Sequence, residues 1–176
     1  WKQVCNKYFI KKDFKQYSKY VGIPFNNILE NLNIDKKLHD NIRNDYFSVT
    51  EKNKHLIKLN ANVYEIINWA LDNNIKLGIV TSKNRVTSIS LVDYFQIKID
   101  LIITPELTTK GKPNPEPIVL ASEMLKVNLK NILFIGDMRT DMVCAKNAGC
   151  NYLHYKIGYE NLLFQEYGGE ITSLLE

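Results

Sequence analysis

Cysteine is scarce in this chain of 176 residues: Cys5, Cys144 and Cys150 are odd in number, widely spaced and without a CxxC. That pattern excludes a disulfide framework or a cysteine zinc site and points to reduced thiols. No apolar run approaches the roughly 20 residues of a membrane span. The opening WKQVCNKYFIKKDF also lacks the apolar core of a signal peptide. A cytoplasmic protein without a membrane partner is therefore expected. A basic stripe interleaved with aromatics is missing too. The lysines are scattered among Asn, Asp and Glu, so the net charge of +4 carries no nucleic-acid reading. Position 1 is Trp rather than an initiator Met, and no Asp-x-Asp occurs anywhere.

What is present begins with 45% hydrophobic and 24% charged residues, enough for one globular domain or one domain with a small appendage. Residues 1–55 read as helical. Val4, Tyr8, Phe9 and Ile10 offer one apolar face, Phe14, Tyr17 and Tyr20 continue it, and Gly22-Ile23-Pro24 breaks it. Short helical pieces are expected around residues 25–32 and 38–47, with polar joints at Asn33 and residues 48–52. His39 and His55 are isolated and read as solvated surface.

From Leu56 the periodicity changes. Val63, Ile66, Ile67, Ala70 and Leu71 recur at helical spacing, and residues 75–80 then read as a strand ending in Thr81-Ser82. Val86, Ile89, Val92 and Phe95 suit a helix, residues 99–103 a strand, and residues 116–125 another helix. A strand at Ile132, its helix and a short strand over residues 152–155 follow. Alternating helices and strands with short connections predict an α/β class with a parallel, Rossmann-like sheet and right-handed crossovers. The expected division is a small all-helical domain over residues 1–55 and an α/β domain over residues 56–176.

The α/β part is organised around residues 133–141, LFIGDMRTD. An apolar strand delivers Asp137 and Asp141 at its carboxyl end, where open α/β sheets place ligands. Met142, Val143, Ala145 and Ala148 then continue as a helix that Gly149 can close. Two carboxylates converging across one turn suit a hard cation such as Mg²⁺; equally, Asp137 can cap the helix and Asp141 favour its first turn. Thr81-Ser82 offers hydroxyls and backbone N–H groups to a phosphate, or caps the helix that follows. Lys112, in a segment stiffened by Pro113, Pro115 and Pro117, offers an ammonium or lies exposed in a loop. Lys83 and Lys110 read as solvated. Three strand tips carrying hydroxyl, ammonium and paired carboxylates make a phosphate site.

In order, IVTSK, GKPNPEP and FIGDMRTDMVCAKNAG resemble the second, third and fourth motifs of the haloacid dehalogenase superfamily, in its phosphoglycolate-phosphatase-like and β-phosphoglucomutase-like branch. The resemblance spans residues 56–155. It implies that Thr81 hydrogen-bonds the transferring phosphoryl group and that Lys112 neutralises it. It further implies that Asp137 ligates Mg²⁺ and that Asp141 holds metal or metal-bound water. Residues 1–55 then correspond to a helical cap that closes over the site.

The first motif of that family, DxDGT/V with its nucleophilic Asp, is not in these residues. In the family that segment is the central strand, and without it the strands on either side would face an unpaired gap. The expectation is that roughly 15 to 20 residues, one strand and its loop, precede Trp1 in the natural protein. The resemblance implies a Mg²⁺-dependent phosphatase acting on a small phosphorylated metabolite through an aspartyl-phosphate. The alternatives are a phosphosugar mutase and a catalytically inactive phosphate- or metal-binding module.

Overall fold

Short apolar periods interrupted by left-handed residues build the first part of the chain. The computed structural model describes residues 1–155 and the backbone of residues 170–171. These fall into two compact units, Trp1–Lys58 and Leu59–Glu176.

The first unit holds α1 (Lys2–Lys7), α2 (Phe14–Ser18), α3 (Phe25–Asn31) and α4 (His39–Lys52). Asp13 opens α2 by accepting the Gln16 N–H at 2.8 Å, while the Gln16 side chain accepts the Asp13 N–H at 3.0 Å, a reciprocal cap. Val4, Leu29 and Ile42 pack at the centre. Truncating Leu29 there would cost about 2–5 kcal/mol in lost burial and cavity.

Three expectations change here. Phe9 leaves α1 in the left-handed region (φ 53°), which breaks the helical register, so it stands 91% exposed instead of continuing the apolar face. Residues 48–52 continue α4 rather than joining two pieces; the Thr50 hydroxyl donates to the Tyr46 carbonyl at 2.9 Å and so is satisfied inside the helix. His39 is buried rather than solvated, its Nε2 bonded to the Ile34 carbonyl at 2.9 Å. A ring satisfied by backbone can enter a core.

The second unit alternates α5 (Val63–Asp72), β1 (Gly78–Val80), α6 (Arg85–Tyr94), β2 (Leu101–Ile103), α7 (Glu116–Leu125), β3 (Leu133–Gly136), α8 (Arg139–Ala148), β4 (Asn151–Tyr155) and β5 (Glu170–Ile171). It is an α/β fold in which every strand pair is parallel. The strand expected over residues 75–80 begins only at Gly78. Just before it the Leu77 N–H is taken by the Asp100 carboxylate at 2.8 Å instead of a neighbouring strand.

The parallel strands form two ladders, as expected where the central strand is not among these residues: β1 pairs with β2, while β3, β4 and β5 form a second ladder. Among the described residues no backbone ladder joins β1 to β3. Side chains alternate along a strand, and the Phe134 face of β3 packs on Ile118, Cys144 and Ala145 of α7 and α8. The opposite face carries Leu133 and Ile135, 55% and 39% exposed, so β3 is covered on one side only among the described residues.

Candidate functional site

The tip of β1 begins the site. The Thr81 N–H donates to the Ile103 carbonyl at 3.0 Å, holding the tips of β1 and β2 level, and Thr81 Oγ1 accepts the Lys83 N–H at 3.1 Å. Thr81 and Ser82 do not cap α6. Asn84 does, accepting the Thr87 N–H at 2.7 Å, which leaves the Thr81-Ser82 turn at the mouth of a hollow. Thr104, Thr108, Gly111 and Lys112 complete its polar lining.

Lys112 reaches this hollow from a loop anchored at several points. The Glu116 carboxylate accepts the Thr109 N–H (2.7 Å), the Thr109 hydroxyl (2.8 Å) and the Lys110 N–H (2.9 Å). These bonds hold its pKa below the usual glutamate range against the opposing effect of desolvation. Behind Lys112 the Cys144 thiol donates to the Asn114 carbonyl at 3.0 Å. Burial, the largest cause, pushes that thiol up to about 12. The Lys112–Pro113 peptide is cis.

The Lys112 ammonium donates to Asp141 Oδ1 at 2.6 Å and to the Val80 carbonyl at 3.4 Å, so one side chain links the tip of β1 to the first turn of α8. Asp141, 4% exposed, spends its other oxygen on the Met138 N–H at 3.1 Å, at the start of α8. Gly136 makes room for it: a Cβ there would lie 2.5 Å from Asp141 Cβ, closer than packed atoms tolerate.

Asp137 stands half-buried beside this pair, one residue before the α8 cap. Desolvation and the neighbouring Asp141 charge raise its pKa, opposed by its own backbone N–H and by the charges of Lys112 and His154. Lys83, read from sequence as solvated, is an exposed residue whose ammonium is nonetheless perturbed by its surroundings. Desolvation lowers its pKa, the charge of Lys112 lowers it further and that of Asp137 raises it. A desolvated ammonium near a second cation is stabilised only by anionic company.

The structure therefore gathers Thr81, Ser82 and Lys112 on one hollow, bonds Lys112 to Asp141, and sets Asp137 within electrostatic reach. It also has Asp141 orient Lys112, one oxygen accepting from that ammonium and the other from the Met138 N–H at the start of α8. Sequence reasoning missed Glu116 and Gly136. The signal for Glu116 was a carboxylate at the start of a helix, separated only by Pro-Asn-Pro from a Thr-Lys-Gly-Lys loop. For Gly136 it was a glycine five residues before a buried acid.

Among the described residues no group of three or more His, Cys, Asp or Glu side chains is arranged around a metal. The oxygen donors present fit Mg²⁺ in part, because that ion keeps several waters and often takes only one or two carboxylates alongside substrate phosphate. Asp137, raised in pKa by desolvation and by the neighbouring Asp141 charge, is the side chain that a cation would favour most.

Residues 1–154 match the family model described as haloacid dehalogenase-like hydrolase. Over 94 residues the chain is 32% identical to phosphoglycolate phosphatase of Neisseria meningitidis serogroup A / serotype 4A, covering 50% of this chain and 38% of that protein. Over 104 residues it is 33% identical to pyrophosphatase PpaX of Bacillus mycoides, covering 56% of this chain and 47% of that protein. The stretch of similarity thus spans less than half the length of these two curated relatives. The crystal structure of a hydrolase from Pseudomonas syringae shares the fold, with a TM-score of 0.89 over 99% of this chain and 85% of that one at 19% identity.

Proposed function

Because the chain belongs to the haloacid dehalogenase-like hydrolases, we propose that its strand tips hydrolyse a phosphate monoester of a small metabolite, with Mg²⁺ as cofactor. The observation that carries this reading is the Lys112 ammonium, held between Val80 and Asp141 at the wall of a hollow edged by Thr81 and Ser82. An ammonium has three N–H bonds. Two are used within the protein, and the third can meet a phosphoryl oxygen.

The roles follow from the chemistry of each group. Thr81 and Ser82 offer hydroxyl donors to the phosphoryl oxygens. Lys112 offsets the charge that grows on those oxygens during transfer, already oriented by Asp141 so that no reorganisation is needed at that moment. Mg²⁺ held at Asp137 would supply further neutralisation of the same charge. Asp141 fixes Lys112, and Gly136 lets Asp141 come close. The nucleophilic aspartate belongs, in this reading, to protein outside residues 1–176, and residues 1–55 act as the cap that selects the substrate.

Nothing in these residues contains an Asp-x-Asp, which also favours a second reading, a phosphate- or metal-binding module without turnover. Assay of the full-length protein against a panel of metabolite phosphates, with and without Mg²⁺, separates them. Mg²⁺-dependent release of phosphate supports the phosphatase. Mg²⁺ binding without turnover of any monoester supports the module.

A further inference from the structure

We propose that Tyr152 and His154 on β4 act as a positioning pair that sets the orientation of Asp137, an inference that rests on the phosphatase reading above. Both residues lie on one face of β4, two apart, in register with Phe134 and Gly136 of β3. The Tyr152 hydroxyl donates to the Gly136 carbonyl at 3.0 Å and lies 2.9 Å from His154 Nδ1. His154 is buried, and the Tyr152 ring packs against the cluster of Ile118, Cys144 and Ala145.

A phenol carries one proton. With that proton on the Gly136 carbonyl, the hydroxyl can only accept from the imidazole, so His154 carries a proton on Nδ1. The pair is then a two-link strut with a fixed direction: imidazole N–H to phenol oxygen, phenol O–H to backbone carbonyl.

The carbonyl it grips is the one that joins Gly136 to Asp137. Carbonyl and N–H point in opposite directions across a trans peptide. Holding the Gly136 oxygen on Tyr152 therefore fixes the plane of the peptide that carries the Asp137 N–H, and with it the direction in which the chain delivers Asp137 beyond the strand. Gly136 is the last ladder residue of β3, in register with His154, so the side-chain bond adds to backbone pairing at the point where the strand ends. Tyr152 and His154 need touch neither phosphate nor metal. They act through Asp137 as positioning residues, in the manner of the hydrogen-bonding partners that hold the ligands of a metal.

The test uses the full-length protein. Tyr152→Phe keeps the ring and deletes the hydroxyl. It should lower kcat by about tenfold or more while leaving the KM for substrate unchanged, and should raise the Mg²⁺ concentration for half-maximal binding measured by calorimetry, by about tenfold. His154→Leu should match it. His154→Asn, which keeps a donor near the Nδ1 position, should restore most of the loss, and Tyr152→Phe combined with His154→Leu should cost no more than either alone. Nitrogen-15 NMR of the wild type should show His154 protonated at Nδ1.

A neutral His154 protonated only at Nε2, or Tyr152→Phe with wild-type kcat and Mg²⁺ affinity, overturns the pair. A wild type that binds Mg²⁺ but turns over nothing defeats the phosphatase reading alone. The pair is then judged by calorimetry and NMR. Equal falls in melting temperature for all the variants, including His154→Asn, with kcat and Mg²⁺ affinity intact, reduce the pair to packing and overturn the proposal.

Discussion

Lys112 Nζ and Asp141 Oδ1 stand 2.6 Å apart, with side chains 10% and 6% exposed, although the residues are far apart in sequence. Each charge would be costly in that setting without the other. Lys112→Ala should therefore destabilise the protein by about 3–5 kcal/mol in urea denaturation, because Asp141 is left buried and unpaired. Lys112→Met combined with Asp141→Leu should recover most of that loss while activity stays abolished.

Gly136→Ala tests the close approach beneath the pair. The added methyl would sit 2.5 Å from Asp141 Cβ, so Asp141 must move and Lys112 with it. Thermal denaturation should show a loss of about 1–3 kcal/mol from overpacking. Phosphatase activity should fall by more than Ala substitution at the neighbouring exposed Leu133 costs.

Glu116 offers a pH signature. Its carboxyl is held below its usual range by the N–H groups of Thr109 and Lys110 and by the Thr109 hydroxyl. A depressed folded pKa means that the unfolded chain binds the proton more readily. The stabilisation is therefore present above the unfolded carboxylate pKa and is lost as pH falls through the lower folded value. The melting temperature of Glu116→Gln should lie below wild type at neutral pH, and the gap should close as the buffer is acidified below about pH 4. A gap that widens in acid would contradict the clamp.

Asp137→Asn removes the carboxylate placed for Mg²⁺ and retains its shape. Turnover should drop by at least about a hundredfold, and added Mg²⁺ should not restore it, whereas chelator-treated wild type should recover fully when Mg²⁺ is returned.

Much of this site was legible because strand tips leave strong marks in a sequence. An apolar run ending in Val80-Thr81-Ser82, another ending in Gly136-Asp137, and a proline-stiffened Lys112 between them gave the order of elements and the neighbourhood of the site. What stayed hidden depends on which groups meet in space. Nothing local announces that Asp141 would serve Lys112, or that Glu116 would turn back to grip Thr109 and Lys110. His39 looked like surface because its neighbours are polar, and only the Ile34 carbonyl opposite it makes burial tolerable. The helical period around Phe9 failed for a backbone reason, a single left-handed residue.

Cys144 lies wholly inside, its Sγ–H turned to the Asn114 carbonyl and its acidity suppressed to about 12. Near neutral pH very little of the sulfur would be present as the reactive anion. Alkylating reagents should find this sulfur only during excursions that lift α8 away from the loop bearing Lys112. The rate at which it becomes modified is thus a clock for the opening of the site's own foundation, readable without substrate or metal.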